Sequence, residues 1–129
     1  TTFQRPTGTL QTHQGSGMTY TSGVFSFPKT GIWKVSLQGK IKSVSTGHSA
    51  YMYLWTTDDN GSNWDEVMHL RNEDEGSRRT TCFGTTFLDI TDLSNHKVKV
   101  AFDEATSAVL EGASGTIATG VFFERLGDT

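Results

Sequence analysis

Apolar and polar residues alternate along the segment IWKVSLQGKIK, residues 32–42. One side of this pattern carries the large apolar residues Trp33, Val35, Leu37 and Ile41. The other side carries lysine, serine and glutamine. A period of two residues is that of a β-strand, because successive side chains of a strand point to opposite faces of the sheet. The segment is therefore predicted to be an antiparallel strand with one buried and one wet face.

The same alternation recurs in HKVKVAF, residues 96–102, and places Val98, Val100 and Phe102 on the inner side. Other short segments contain several apolar residues, in most cases with threonine or aromatic residues, and are bounded by turn residues. They are GVFSF (23–27), AYMYLW (50–55), DEVMHL (65–70), TTCFGTTFLDI (80–90), AVLEG (108–112) and TIATGVFFER (116–125). With a looser segment near Thr9, they predict eight to ten short strands. This spacing in 129 residues predicts one all-β domain, an antiparallel β-sandwich of the jelly-roll kind.

The segment AYMYLW differs from the others because both of its faces are apolar. Met52 and Leu54 lie on one face, and Tyr51, Tyr53 and Trp55 lie on the other. A strand of this kind has to be covered on both sides. We therefore expect the three aromatic residues to contact either the second sheet of the sandwich or another subunit, and they are the candidate oligomer interface.

Composition and charge argue against several classes of protein. The net charge is −3 with no basic stripe, which is not the footprint of a nucleic-acid-binding protein. No segment approaches the roughly 18 apolar residues of a membrane span. The single cysteine, Cys82, allows neither an internal disulfide nor a cysteine-based zinc site and is predicted to be a small buried residue. The four histidines lack ligand spacing: they are His13, His48, His69 and His96. We therefore expect no cofactor.

The acidic stretch WTTDDNGSNWDEV, residues 55–67, raises the question of a metal site or a pair of catalytic acids. Its spacing does not fit a calcium loop of the EF-hand type, which requires carboxylates where this stretch has Thr56 and Val67. A looser cation site would use Asp58, Asp59 and Asp65. Neighbouring carboxylates on one loop are also unlike the acid pair of a glycosidase, which faces across a cleft. No catalytic residue is predicted, and the chain is expected not to be an enzyme.

A structural turn fits this stretch better. The pair Asn-Gly between two strand-like segments is a strong hairpin signature. Thr57, Asp59, Gly61, Asn63 and Trp64 also resemble an Asp-box, in which the aspartate accepts hydrogen bonds from backbone N–H groups and the tryptophan packs beneath the turn. The resemblance implies a structural role and no activity.

A second motif, in GVFSFPKTGIWKVSL, is more informative. It reads Phe25-x-x-Pro28-x-x-Gly31-x-Trp33-x-Val35 and resembles the start of the globular domain in the C1q/TNF-like superfamily. Physically, proline stops ladder pairing, glycine permits the turn, and the aromatic and β-branched residues fill the core. The resemblance implies a compact jelly roll that forms a homotrimer and binds partners through its loops or outer faces.

The polar, disulfide-free composition is similar to that of phage and bacterial structural β-domains. The predicted function is therefore a trimeric virion component, such as a head fibre, tail fibre or capsid decoration, which contacts other virion subunits or a host glycan or protein. Residues 1–14 are expected to be an N-terminal tether or first strand, and residues 15–129 a single jelly-roll domain. Two alternatives stay open: an extracellular C1q-like recognition domain, and a carbohydrate-binding module that stacks sugars on Trp64 or Tyr20.

Overall fold

The computed structural model describes residues 16–43, 46–75, 79–104, 108–112 and 117–129. The tether or first strand predicted at residues 1–14, the segment near Thr9 and His13 lie outside the described residues, as does the side chain of His48.

The described residues form nine strands and confirm the all-β prediction. The strands are β1 (Thr19–Thr21), β2 (Val24–Ser26), β3 (Gly31–Ser43), β4 (Thr46–Thr57), β5 (Asp65–Glu75), β6 (Arg79–Ile90), β7 (Lys97–Glu104), β8 (Ala108–Leu110) and β9 (Gly120–Gly127). The short β1 was not among the predicted strands. Strand β5 extends beyond the predicted segment 65–70, because residues 73–75 continue the ladder with β4.

The strands form two antiparallel sheets. One sheet has the order β1-β2-β7-β4-β5. In the other, β3 is central, and β6 pairs with it along almost its whole length, from Gly31 to Lys42. The opposite edge of β3 is shared, since β9 pairs with residues 32–38 and β8 with residues 41–43. Side chains from both sheets pack together in two core clusters, so the described part of the molecule is a β-sandwich.

Between β8 and β9, two hydrogen bonds anchor the chain to β3, and a third joins Thr119 to Glu111. The backbone N–H of Glu111 donates to the carbonyl oxygen of Lys40 at 2.8 Å. The N–H of Lys40 donates to Oγ1 of Thr119 at 3.0 Å, and that hydroxyl donates to the carbonyl oxygen of Glu111 at 2.8 Å. The Thr119 hydroxyl therefore accepts from the Lys40 N–H, which lies on the edge of β3 between its ladders with β8 and β9.

The inner face of β3 forms the centre of the core, as predicted. Val35, Leu37 and Ile41 are fully buried and Trp33 is 5% exposed. Met52, Leu54 and Val98 of the other sheet are also fully buried and form the facing side of the core. Full burial of a side chain of this size contributes about 1.5–3 kcal/mol, so this double layer accounts for much of the stability.

The predicted Phe-x-x-Pro-x-x-Gly-x-Trp-x-Val segment is the corner at which the chain crosses from one sheet to the other. Strand β2 ends before Pro28, and β3 begins at Gly31 with a φ of +127°. A Cβ atom on Gly31 would collide with the carbonyl oxygen of Gly127, so glycine is required there. Trp33 is fixed by a 3.0 Å hydrogen bond from Nε1 to the carbonyl oxygen of Lys29. The motif therefore has a structural explanation in this chain.

Two glycines on inner faces make room for the long side chains of the opposite sheet. A Cβ atom on Gly84 would lie 2.6 Å from Leu70 and 2.7 Å from Met68, and one on Gly39 would collide with the sulfur of Met52. Cys82, next to Gly39, is half-buried rather than fully buried, and its thiol donates to the carbonyl oxygen of Gly39 at 3.4 Å.

We expect Gly39→Ala to destabilise the fold by about 1–3 kcal/mol, because the added methyl group overpacks the core against the buried Met52. The measurement is the free energy of unfolding in urea. Gly112→Ala is the matched control, since a Cβ atom there meets nothing within 4 Å. Equal stabilities of the two variants would contradict the tight contact between the sheets.

Candidate functional site

The acidic stretch lies between β4 and β5 and reverses the chain around Asp59. The Thr57 hydroxyl donates to Asp59 Oδ1 at 2.7 Å. Asn63 donates to the same carboxylate twice, from its backbone N–H at 2.9 Å and from its side-chain amide at 2.6 Å. The backbone N–H of Gly61 donates to the Thr57 hydroxyl at 3.0 Å. The carboxylate is thus an acceptor that closes the turn from the inside.

The turn residues have the backbone conformation that their types favour. Asn60 and Gly61 have φ values of +58° and +95°, in the left-handed region that asparagine and glycine adopt most readily. Trp64 donates from Nε1 to the carbonyl oxygen of Gly61 at 3.1 Å, and its ring lies 3.4 Å from the point where a Cβ atom on Gly61 would be. The indole therefore packs beneath the turn.

The hydrogen bonds also fix the charge state of Asp59. Donation by Thr57 and by the backbone and side chain of Asn63 lowers the pKa of Asp59 to about 2, from an ordinary value of 3.8. A carboxyl group with this pKa stays ionised at neutral pH and is unsuited to act as a general acid. Asp58 and Asp65, the other candidate cation ligands, are exposed. Within the described ranges, no group of three or more histidine, cysteine or acidic residues is placed to hold a metal ion.

We expect Asp59→Asn to lower the melting temperature at neutral pH, because an amide cannot accept all the hydrogen bonds of the carboxylate. The folded-state pKa lies below the unfolded one, so the contribution of Asp59 is present above about pH 4 and is lost as the pH falls towards 2. The difference between wild type and variant should therefore shrink over that window in thermal melts. The exposed neighbour Asp58 provides the control Asp58→Asn; an equal effect of both variants would contradict the role of Asp59.

The three aromatic residues of the candidate oligomer interface form a ladder on the outer face of β4. Tyr51 and Tyr53 are stacked, with ring centroids 5.9 Å apart and planes 18° apart. Tyr53 and Trp55 follow at 6.0 Å. The guanidinium carbon of Arg71 lies 5.7 Å from the centre of the Tyr51 ring and covers that end of the ladder.

At its other end, the ladder is joined to the turn by Lys99. The ammonium nitrogen lies 5.6 Å from the centre of the Trp55 ring and 4.2 Å from the centre of the Trp64 ring. A cation that contacts two indole rings is attracted by the negative face of each. One lysine of β7 thus connects the sheet to the β4–β5 turn.

This arrangement explains why β4 is apolar on both faces. The second sheet packs on the Met52 face, and the aromatic residues on the opposite face cover one another and are half-buried. Since the faces of the Tyr51, Tyr53 and Trp55 rings are turned towards neighbouring side chains, the ladder is poorly suited to stacking on sugar rings. Tyr20 also lies against another ring, that of Phe25, with centroids 4.6 Å apart.

We expect Lys99→Met to reduce the free energy of unfolding by about 1 kcal/mol, because the methionine keeps the aliphatic contact and removes the charge from both indoles. The backbone N–H of Asn63 should also exchange faster with deuterium, since the turn loses its cation–π contact with Lys99. Lys42→Met, on the other sheet, controls for the general effect of removing a lysine. Unchanged exchange at Asn63 would show that the turn does not depend on Lys99.

A second group of aromatic residues lies on the outer face of the four-stranded sheet, and the sequence did not predict it. Phe83 and Phe87 of β6 are 62% and 61% exposed, and Phe122 of β9 is 39% exposed. Phe83 is opposite Gln38, Phe87 is opposite Lys34, and Phe122 is opposite Ser36. We call these three residues the phenylalanine face. They surround a hydrogen bond of 2.7 Å between the hydroxyls of Ser36 and Thr85.

The turn that contains Asp59 is also bonded to the loop between β6 and β7. The backbone N–H of Asn60 donates to the carbonyl oxygen of Asn95 at 3.1 Å. Asp92 Oδ1 accepts a hydrogen bond from the backbone N–H of Ser94 at 2.8 Å. This bond lowers the pKa of Asp92 below its ordinary value. His96, one of the scattered histidines, accepts at Nδ1 from the backbone of Thr91. Two loops thus form one hydrogen-bonded unit at this end of the sandwich.

The remaining candidate, His69, lies on β5. Its Nδ1 is 2.8 Å from a carboxylate oxygen of Glu66, and its ring is 6.3 Å from that of Tyr53. His69 therefore lies beside the aromatic ladder. It is separated in sequence from His96, the other histidine whose side chain the structure describes.

Comparison with protein-family models and with curated proteins finds no match to this chain. Across the residues that the structure describes, no helix has the length and apolar character needed to cross a membrane.

Proposed function

We propose that this chain is a non-enzymatic jelly-roll module that assembles into a homotrimer and serves as a structural or binding component of a virion, such as a fibre or a capsid decoration. The observation that carries the proposal is the phenylalanine face. Three exposed aromatic rings on one face of the sheet offer on the order of 300 Å² of apolar area, a patch size that is often functional.

The strand order supports the jelly-roll part of the proposal. Among the described strands, only β1–β2 and β4–β5 are hairpins within one sheet. The chain passes to the other sheet between β2 and β3, β3 and β4, β5 and β6, β6 and β7, and β7 and β8. Neighbours in space are consequently distant in sequence, as in β2–β7 and β3–β9. Connections of this Greek-key type are those from which jelly rolls are built.

The charges on the phenylalanine face support contact between identical copies. Lys34 and Glu124 lie beside the aromatic rings and form an ion pair of 3.1 Å, so that the centre of the face carries no net charge. Like charges opposite each other would disfavour self-association. Here each charge is neutralised by an opposite charge in the same copy. This face is a better candidate for the oligomer interface than Tyr51, Tyr53 and Trp55, whose rings cover one another.

Two parts of the proposal, the number of copies and the virion setting, are supported by resemblances in the sequence. The Phe-x-x-Pro-x-x-Gly-x-Trp-x-Val motif resembles that of a superfamily of trimeric jelly rolls. The composition rich in threonine, serine, glycine and asparagine resembles that of phage structural domains. A rigid ladder and a hydrogen-bonded loop unit then stay on the outside of the assembly, where other virion subunits or a host surface would be contacted.

Light scattering on the folded chain tests the proposal. We expect a mass three times that of the 14.1 kDa chain. Thr85→Glu should convert it to a monomer, because it places a charge at the centre of the phenylalanine face. Val67→Glu, at an exposed position of the five-stranded sheet, is the control and should remain trimeric. A wild-type chain that stays monomeric at high concentration would refute the proposal.

A further inference from the structure

The turn between β4 and β5 contains the only asparagine in the sequence that is followed by glycine, Asn60-Gly61. Both residues have φ values in the left-handed region, and Asn60 is exposed. The side-chain amide of an asparagine can be attacked by the backbone nitrogen of the next residue. Glycine leaves this nitrogen most accessible, because it has no Cβ atom to hinder the approach. Asn60 is therefore the asparagine of this chain that is most open to attack from its own backbone.

The reaction that such an attack starts is deamidation, and it consumes only water. The Gly61 nitrogen forms a bond to Cγ of Asn60 and gives up its proton, while the side-chain nitrogen takes up a proton and leaves as ammonia. A cyclic succinimide remains. Water then adds to one of the carbonyl carbons of this ring and breaks the bond from that carbon to nitrogen. The residue at position 60 is thereby converted to aspartate or isoaspartate.

In the structure, hydrogen bonds hold the backbone on both sides of Asn60. The N–H of Gly61, whose nitrogen is the nucleophile, donates to the Thr57 hydroxyl at 3.0 Å. The N–H of Asn60 donates to the carbonyl oxygen of Asn95 at 3.1 Å. Attack on Cγ requires the Gly61 nitrogen to lose its proton and to turn towards the side chain, and both changes break the bond to Thr57. The nitrogen is therefore protected while the turn is closed.

The protecting hydroxyl is itself held in place. Thr57 is 5% exposed, and its hydroxyl donates its hydrogen to Asp59 Oδ1 at 2.7 Å. The lone pairs of the same oxygen are then left to accept from the N–H of Gly61. The carboxylate of Asp59 thus orients the hydroxyl of Thr57, and this hydroxyl holds the nitrogen of Gly61. Closure of the turn and protection of Asn60 depend on the same bonds.

We propose that Asn60 is a covalent modification site that deamidates when the turn opens. The products cannot restore the closed turn. Isoaspartate carries the main chain through the former side chain and so lengthens the backbone, and either product adds a carboxylate beside Asp58 and Asp59, which repel it. The modification therefore makes the opening irreversible and weakens the connection to the loop that carries Asn95. This inference goes beyond the proposed function and depends on no contact between copies.

Mass spectrometry during incubation of the folded chain in mildly alkaline buffer tests the site. Exchange of the amide for a carboxyl group raises the mass of the peptide, and fragmentation assigns the change to Asn60 or Asn63. Thr57→Val should accelerate the conversion of Asn60 roughly tenfold, because it removes the acceptor of the Gly61 N–H and favours the open turn. Thr56→Val is the matched control, since neighbouring side chains of a strand point to opposite faces. Equal rates in Thr57→Val and Thr56→Val would overturn the inference.

A second measurement needs no substitution. At low concentrations of urea, deamidation of Asn60 and deuterium exchange of the Gly61 N–H should accelerate in parallel in the wild-type chain, since both require the turn to open. Exchange that accelerates without deamidation would overturn the inference, as would an unfolded chain in which Asn60 stays intact.

The modified protein tests whether the opening is irreversible. It carries an additional negative charge and can be separated from the intact chain by ion exchange. We expect it to melt at a lower temperature and its Gly61 N–H to exchange faster with deuterium, because the turn no longer closes. Unchanged melting and exchange would overturn the irreversible opening.

Discussion

The burial of one side of β3 is the constraint on which the rest of the structure depends. Val35 and Leu37 are fully enclosed because they pack against Leu54 and Val98 of the opposite sheet. Once these residues point inward, the pleat of the strand sends Lys34, Ser36 and Gln38 outward. The pairing of β3 with β6 and β9 then places the phenylalanines beside them, and the composition of the outer face follows from the register of the inner one.

The acidic stretch shows how side chains hold a turn that backbone pairing cannot. Seven residues separate β4 from β5, and Asp59 replaces the missing ladder bonds by accepting from Thr57 and Asn63. Lys99 then fixes the turn to the sheet through Trp55 and Trp64. The cluster of carboxylates is therefore explained by geometry, and the ladder and the turn form one structural unit.

The sequence predicted those features that depend on local pattern. The alternation around Trp33 located the core strand, and Asn60-Gly61 located the reversal between β4 and β5. The phenylalanine face could not be predicted in this way. In TTCFGTTFLDI both faces carry apolar residues, and size alone would send Phe83 and Phe87 inward. They point outward because Met52, Met68 and Leu70 fill the interior next to Gly39 and Gly84. The position of Lys99 between two indoles likewise depends on pairing between distant strands.

The shared edge of β3 has a consequence for how this chain can vary. Strands β8 and β9 are each paired with β3 independently, and the hydrogen bonds among Lys40, Glu111 and Thr119 hold both sides of the break. Extra residues inserted between Glu111 and Thr119 would lengthen the connection without shifting either ladder. The edge is thus a natural position for length variation among diverging copies of the gene, and for the grafting of foreign peptides onto the sandwich.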